Sequence, residues 1–477
     1  MKQICQTNGK TAIGLLTPYS GCNLGDGAIQ DAVIEHIRLR RPDASLYLFT
    51  TDTKQTEKLH GVKSLPLTGL YIPGYSMSLL HSHLDDTEAQ SPPGNIRSHY
   101  SSYIRSSPWL YRCLRWPYKL CKAVVRTIPV TVGEICHIIR SIRLMKHFDA
   151  LVISGGGQLD EYWGGSMAHP YALFKWALIA KATHTKMFFI SVGVGQTESR
   201  LSRFFIRKAL EHADYRSYRD LDSKKLLGHW QMTHPDPVYP DLAFSYCPVN
   251  LRNQSRDSTG IGRVGVSPIA YLSSRGWPEK DAARFERYLE TLVAFTAGLL
   301  KIGQNVVLFS TDSPDQPVVD ELYDRVVKLC GPSAAGRLSR TNVTSVAQLF
   351  ECLGTVDMVV ASRLHGIILS HLAGIPAIAV SYDRKVNTYM REVDQLGRCI
   401  DISSITEVGL FNLFFNLREN EAEARAMIRR HSNVFRNILD GQYNHLFGAP
   451  EPSFPEPVMA ARPAACSVEQ TPIENSP

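Results

Sequence analysis

The sequence predicts a two-domain α/β protein built on parallel sheets. Three observations carry that expectation. Strand-length apolar runs alternate with helix-length segments along most of the chain. Several of those runs end in glycine-rich or polar turns. The length of 477 residues also exceeds what one hydrophobic core usually serves.

The elements follow in order. Residues 11–16 read as the first strand and 19–27 as a loop containing Asn23, Leu24, Gly25 and Asp26. A helix over 28–38 and a strand over 45–49 complete the first unit. Residues 60–147 break this rhythm. Between Arg105 and His147 the chain carries nine Lys or Arg and one acid, Glu134, with Trp109, Tyr111, Trp116 and Tyr118 interleaved. That pattern suits a membrane surface or a lipid-linked substrate. It equally suits a basic helical insertion packed on its own domain. The rhythm resumes with a strand over 148–154, then Gly155, Gly156 and Gly157, a helix over 171–182 and a strand over 186–192. A helix over 202–212 and a short strand over 215–218 lead to Arg219 and Asp220.

A polar linker over 250–262 marks a boundary, giving a first domain over 1–250 and a second over 251–420. The second domain reads as strands over 263–266, 305–309, 358–361 and 377–380, with helices over 279–302, 318–329, 346–353 and 367–373. A last helix, 421–439 within a 421–447 segment, is expected to pack back on the first domain. The proline-rich segment 448–477 is expected to be disordered.

Composition narrows the function classes. The net charge of +7 suits an anionic substrate or a membrane surface and is too weak to argue for nucleic acid. The ten cysteines form no CxxC pair, and neither HExxH nor GxSxG occurs. No obligate metal is expected. The amino terminus has no apolar signal core and no 18-residue apolar run exists, so a cytoplasmic protein is expected, with peripheral contact at the inner face of a membrane through 105–147.

The most informative residues are Ser362, Arg363, Leu364, His365 and Gly366, which follow a buried strand. A turn at the carboxyl end of a parallel strand is where open α/β sheets bind ligands. An arginine there fixes an anion and a histidine moves a proton. Arg219 ends a first-domain strand and would face Arg363 and His365 across an interdomain cleft, two guanidiniums around one anion. Asp220 would cap the next helix or orient Arg219. Asp26 is either a base for a sugar hydroxyl or the cap of the helix after it. Gly156 and Gly157 offer backbone that a ligand can approach. Lys385, after the next strand, supports the anion or is a solvated loop charge.

This ordered set resembles the polysaccharide pyruvyl transferase family. The resemblance runs through Asn23-Leu24-Gly25-Asp26, Ile153 to Gly157, Gly193-Val194-Gly195, Tyr218-Arg219-Asp220, Ser362 to Gly366, Gly374-Ile375-Pro376 and Tyr382 to Lys385. It implies two Rossmann-like domains in a GT-B-like arrangement. It also implies a pyruvyltransferase that uses phosphoenolpyruvate as donor substrate and no cofactor. The enolpyruvyl unit would move onto two hydroxyls of a saccharide, free, lipid-linked or polymeric, to give a cyclic pyruvate ketal and phosphate. The family's anion-binding arginines fall on Arg219 and Arg363 and its catalytic histidine on His365. Two rivals share the fold: a nucleotide-sugar glycosyltransferase and a non-catalytic glycan-binding protein.

Overall fold

The computed structural model describes residues 12–19, 21–70, 131–161, 164–195, 197–232, 234–248, 262–273, 277, 279–331 and 336–450. Most of the 60–147 insertion, the linker and the proline-rich segment lie outside them.

Two six-stranded, all-parallel sheets form the frame. The first contains β1 (Ala12–Leu16), β2 (Ser45–Thr50), β3 (Ser64–Pro66), β4 (Phe148–Ser154), β5 (Lys186–Val192) and β6 (Tyr215–Tyr218) in the order β3-β2-β1-β4-β5-β6. The second contains β7 (Arg263–Ser267), β8 (Asn305–Phe309), β9 (Leu338–Thr341), β10 (Met358–Ala361), β11 (Ala377–Ser381) and β12 (Cys399–Asp401) in the order β12-β11-β10-β7-β8-β9. Each sheet therefore repeats the doubly wound order 3-2-1-4-5-6. Its direction of growth reverses between β1 and β4 in one sheet and between β7 and β10 in the other. Those reversals open a crevice at the carboxyl edge of each sheet.

The central strands are apolar throughout because both faces are covered. All seven residues of β4 and all five of β11 are buried. The helices are α1 (Leu24–Arg40), α2 (Thr53–His60), α3 (131–145), α4 (His169–Ala182), α5 (Arg200–Glu211), α6 (Leu221–His229), α7 (Ala282–Lys301), α8 (Gln316–Cys330), α9 (Val346–Gly354), α10 (Leu364–Leu372), α11 (Arg384–Glu392), α12 (Glu407–Glu419) and α13 (Glu421–Phe447). One apolar cluster fills the outer layer of each sheet. A third crosses between the domains, joining Ile29 and Val33 of α1 to Val346, Leu349 and Ile367 and to Tyr443 of α13. An interface of this apolar kind resists relative domain motion.

Two helix starts differ from the expected ones, and both differences move site residues. The helix expected at 28 begins at Leu24, because the Asn23 side chain accepts the N–H groups of Gly25 and Asp26 at 2.9 and 3.2 Å. Asp26 is thus in the first turn and Asn23 is the cap. The helix expected at 367 begins at Leu364, so Arg363 is its N-cap residue and His365 lies in its first turn, not on a loop. The 421 helix runs on to Phe447. The edge strands β3, β9 and β12 and the helices α2, α11 and α12 have no counterpart in the sequence expectations.

α13 touches both domains. Arg425 donates to the carbonyls of Gly374 and Asp357 in the second. Toward the other end, Gln442 donates to Ser217 Oγ at 2.7 Å and accepts from Ser191 Oγ at 3.2 Å in the first. Replacing Arg425 with Met should strip two buried carbonyls of their donor and lower stability by about 1–3 kcal/mol. Chemical denaturation with a two-domain probe set should show the loss.

Candidate active site where the two sheets meet

The start of α1 is stitched to the second domain by backbone. Leu24 N–H donates to Thr311 O at 2.9 Å, and Ser313 N–H donates to Cys22 O at 3.1 Å, an antiparallel bridge centred on Asn23 and Asp312. The bridge sets Gly25 against the His365 ring. A Cβ on Gly25 would fall 2.0 Å from His365 Cγ and 2.2 Å from Nδ1. Only glycine leaves room for that imidazole. Two other glycines act alike. A Cβ on Gly156 would stand 3.0 Å from Asp26 Oδ1, and Gly156 also holds φ +64. A Cβ on Gly193 would stand 2.8 Å from Arg219 Nη2. Each glycine-bearing stretch of the sequence therefore makes space for one charged side chain.

Asp241 ties the cluster together. Its Oδ2 lies 3.3 Å from Arg219 Nη1 and 3.5 Å from His365 Nε2. Its Oδ1 accepts the Ala243 N–H at 3.0 Å, which fixes the carboxylate. His365 Nε2 is buried and makes no hydrogen bond among the described residues, its approach to Asp241 being too long for one. Burial alone would push the Asp241 carboxyl up, but His365 and Arg219 together hold it well below the ordinary carboxylate range. Asp26 goes the other way. Burial pushes its carboxyl up and the nearby Asp241 adds to the rise, against the pull of His365 and Arg219. One carboxylate is thus kept ionised while its neighbour is biased toward the acid, the kind of contrast that divides proton-handling roles.

The two arginines sit in separate carboxylate settings. Arg219 contacts Asp241 and lies 3.6 Å from Asp220, whose other oxygen caps α6 by accepting the Ser223 N–H at 2.6 Å. Both sequence roles for Asp220 are therefore present. Arg363 is a two-pronged donor to Asp315, at 2.7 and 3.1 Å, and lies 3.3 Å from Asp312. Asp315 also accepts the Ala270 N–H at 2.8 Å, so Arg363 braces the loops after β7 and β8 as well as starting α10. Burial pushes the Asp312 carboxyl up to about 6, opposed by Arg363. Both guanidiniums carry carboxylate partners, with which an anion shared between them would compete.

Beside this cluster lies a cleft lined by Arg219, Asp220, Asp241, Leu364, Lys385 and Thr388 and by the rings of Phe244, Tyr389 and Phe435. Lys385 is in the first turn of α11, with Nζ 3.8 Å from Asp383 and 5.4 Å from the centre of the Tyr382 ring. Gly157 stands apart from the charged cluster, and a Cβ there would meet Asp160 at 3.5 Å. Among the described residues no group of three or more His, Cys, Asp or Glu is placed to hold a metal ion.

Sequence reasoning missed Asp241 and Asp312. The local signal for Asp241 is an aspartate opening the short helical turn Leu242–Ser245. Asp312 follows β8 at the carboxyl edge, a position worth testing in any parallel sheet.

The polysaccharide pyruvyl transferase family model matches residues 23–384. The chain belongs to that family. The match begins at the Asn23 cap and takes in Asp26, the glycine turns, Arg219 and the Arg363–His365 turn. It stops one residue before Lys385. None of the curated proteins matches the chain. Among solved structures, a Staphylococcus aureus MnaA–UDP complex is 11% identical, with 92% of this chain and 99% of that chain covered and a TM-score of 0.51. UDP-GlcNAc 2-epimerase from Methanocaldococcus jannaschii is 10% identical, with 85% and 91% covered and a TM-score of 0.50. At such identities the likeness is one of fold: two Rossmann-like domains in a GT-B-like arrangement.

Two outcomes follow from this geometry. Gly25→Ala should leave helix α1 intact, since alanine favours helix interiors. It should displace the His365 ring and lower turnover by about 10²-fold or more, read by steady-state kinetics beside an unchanged circular dichroism spectrum. Asp26→Asn should raise stability at neutral pH. The native state raises this carboxyl, so ionising it costs native stability as pH climbs through its folded value, and asparagine removes that cost. The gain should vanish below the unfolded-state pKa, where both states hold a neutral carboxyl. Thermal melts of both proteins across the acid range check the sign.

Proposed function

We propose that this protein transfers the enolpyruvyl unit of phosphoenolpyruvate to two hydroxyls of a saccharide, forming a cyclic pyruvate ketal and releasing phosphate. The observation that carries the reading is the seating of Gly25 against His365, whose Nε2 lies 3.5 Å from Asp241, in a chain of the pyruvyl transferase family. The acceptor is a saccharide, and the reaction needs no cofactor beyond its donor.

The residues present suit each step. The donor is an anion with a carboxylate and a phosphate, and Arg219 and Lys385 supply cations on the cleft wall. Binding it asks Arg219 to divide its charge between Asp241 and the ligand. His365 Nε2, without a hydrogen bond of its own, delivers a proton to the methylene carbon. Positive charge then develops at C2, and the Asp241 carboxylate stabilises the imidazole in place. One sugar hydroxyl attacks C2 and gives its proton to Asp26. The C2–O bond to phosphate breaks, and the second hydroxyl closes the ketal. Of the two hydroxyl protons, one in effect replaces that used to make the methyl group and the other leaves with phosphate. Arg363, held by Asp315 and Asp312, keeps the His365 turn rigid and adds positive potential to the departing phosphate.

The test is phosphate release from phosphoenolpyruvate with a panel of saccharide acceptors, run beside labelled nucleotide sugars. Phosphoenolpyruvate should be consumed only with acceptor, and His365→Ala should lower the rate by roughly 10²–10⁴. Sugar transfer from a nucleotide donor with no phosphate release from phosphoenolpyruvate would overturn the reading. Saccharide binding with neither reaction would make this a glycan-binding protein.

A further inference from the structure

The outer helical layer of the first sheet carries a surface that the reaction does not use. α3 is locked inward through Glu134, whose carboxylate is 2.8 Å from the buried Lys175 ammonium and accepts the Gly69 N–H at 2.7 Å. Its outward side exposes Val132, Ile135 and Ile139 on one stripe, each between 45% and 52% exposed. The following turns expose Arg140, Arg143 and Lys146. On the far side of α4, α5 exposes Phe204 at 48%, and Phe204 and Phe205 both contact Phe174 of α4. Aliphatic exposure and basic charge thus coincide on α3, beside the exposed aromatic of α5.

We propose that this layer docks on an anionic lipid surface. Charge complementarity decides between occupants. The exposed charge of α3 is basic throughout, because its acid, Glu134, is buried against Lys175. A second copy would bring to α3 only the same exposed bases, with no exposed acid on that helix to answer them. A nucleic acid would satisfy the bases but leave the Val132, Ile135 and Ile139 stripe without a stacking partner. A bilayer interface satisfies both parts, with apolar side chains at the acyl boundary and bases among the headgroups. Orientation adds to the argument. α3 leads into β4 and runs against it, so its first turn stands at the carboxyl edge of the sheet, the edge that carries Asp26 and Gly156. The apolar Val132 and Ile135 therefore lie toward that edge and the bases toward the opposite one. The inference rests on this surface and is independent of the pyruvyl-transfer reading.

Co-sedimentation of the full chain with phosphatidylcholine vesicles, with and without phosphatidylglycerol, tests it at low and high salt. The protein should sediment with the anionic vesicles and be released by salt. Arg140→Gln with Arg143→Gln should weaken partitioning roughly tenfold at low salt. Ile135→Ser with Phe204→Ser should also weaken it, while activity on a soluble acceptor stays unchanged. Leu39→Ser, at an exposed residue of α1, should have no effect. Failure to bind anionic vesicles would overturn the proposal. So would undiminished binding by the Ile135→Ser, Phe204→Ser protein, or a concentration-dependent dimer that those substitutions dissolve.

Discussion

The seating of Gly25 against His365 governs the candidate site. It joins a residue at the switch point of the first sheet to one at the switch point of the second, with no room for a single extra carbon. The short backbone bridge between Cys22–Leu24 and Thr311–Ser313 holds that seating in register. The apolar contact of α1 with α9, α10 and α13 keeps the bridge from opening. The seating of Gly25 against His365 is therefore set by packing in the structure described.

Charge is the second constraint. Asp26, Asp220, Asp241, Asp312 and Asp315 crowd around Arg219, Arg363, Lys385 and one imidazole. Acids this dense raise some carboxyls and depress others. Asp241 is depressed because the His365 ring and the Arg219 guanidinium flank it, and Asp312 is raised because burial and Asp315 outweigh Arg363. An incoming anion meets guanidiniums that already have partners, so recognition is an exchange of carboxylate contacts and depends on the carboxylates as much as on the cations.

Much of this was legible in the chain. β4, β8 and β10 match their expected limits because buried strands are nearly continuous apolar runs bounded by polar turns. His365 stood out by its place after such a run. The short edge strands were not legible, since three or four half-buried residues give no period to read. The helix starts were misjudged by three or four residues because Asn23, which caps, and Arg363, which stands at the N-cap position without a capping bond, lie outside the apolar pattern. Asp241 was invisible for a different reason. Its importance comes from the meeting of residues 219, 241 and 365, and nothing local to Pro240-Asp241-Leu242 encodes that.

The span of α13 has a consequence for how the protein is made. This helix follows both sheets in chain order, yet its far end fastens onto Ser191 and Ser217, laid down more than two hundred residues earlier. Ribosomal synthesis therefore delivers the first half long before its clasp exists. The interdomain core acquires its last wall only when the helix emerges, so the joining of the two sheets is completed late in the making of each new chain.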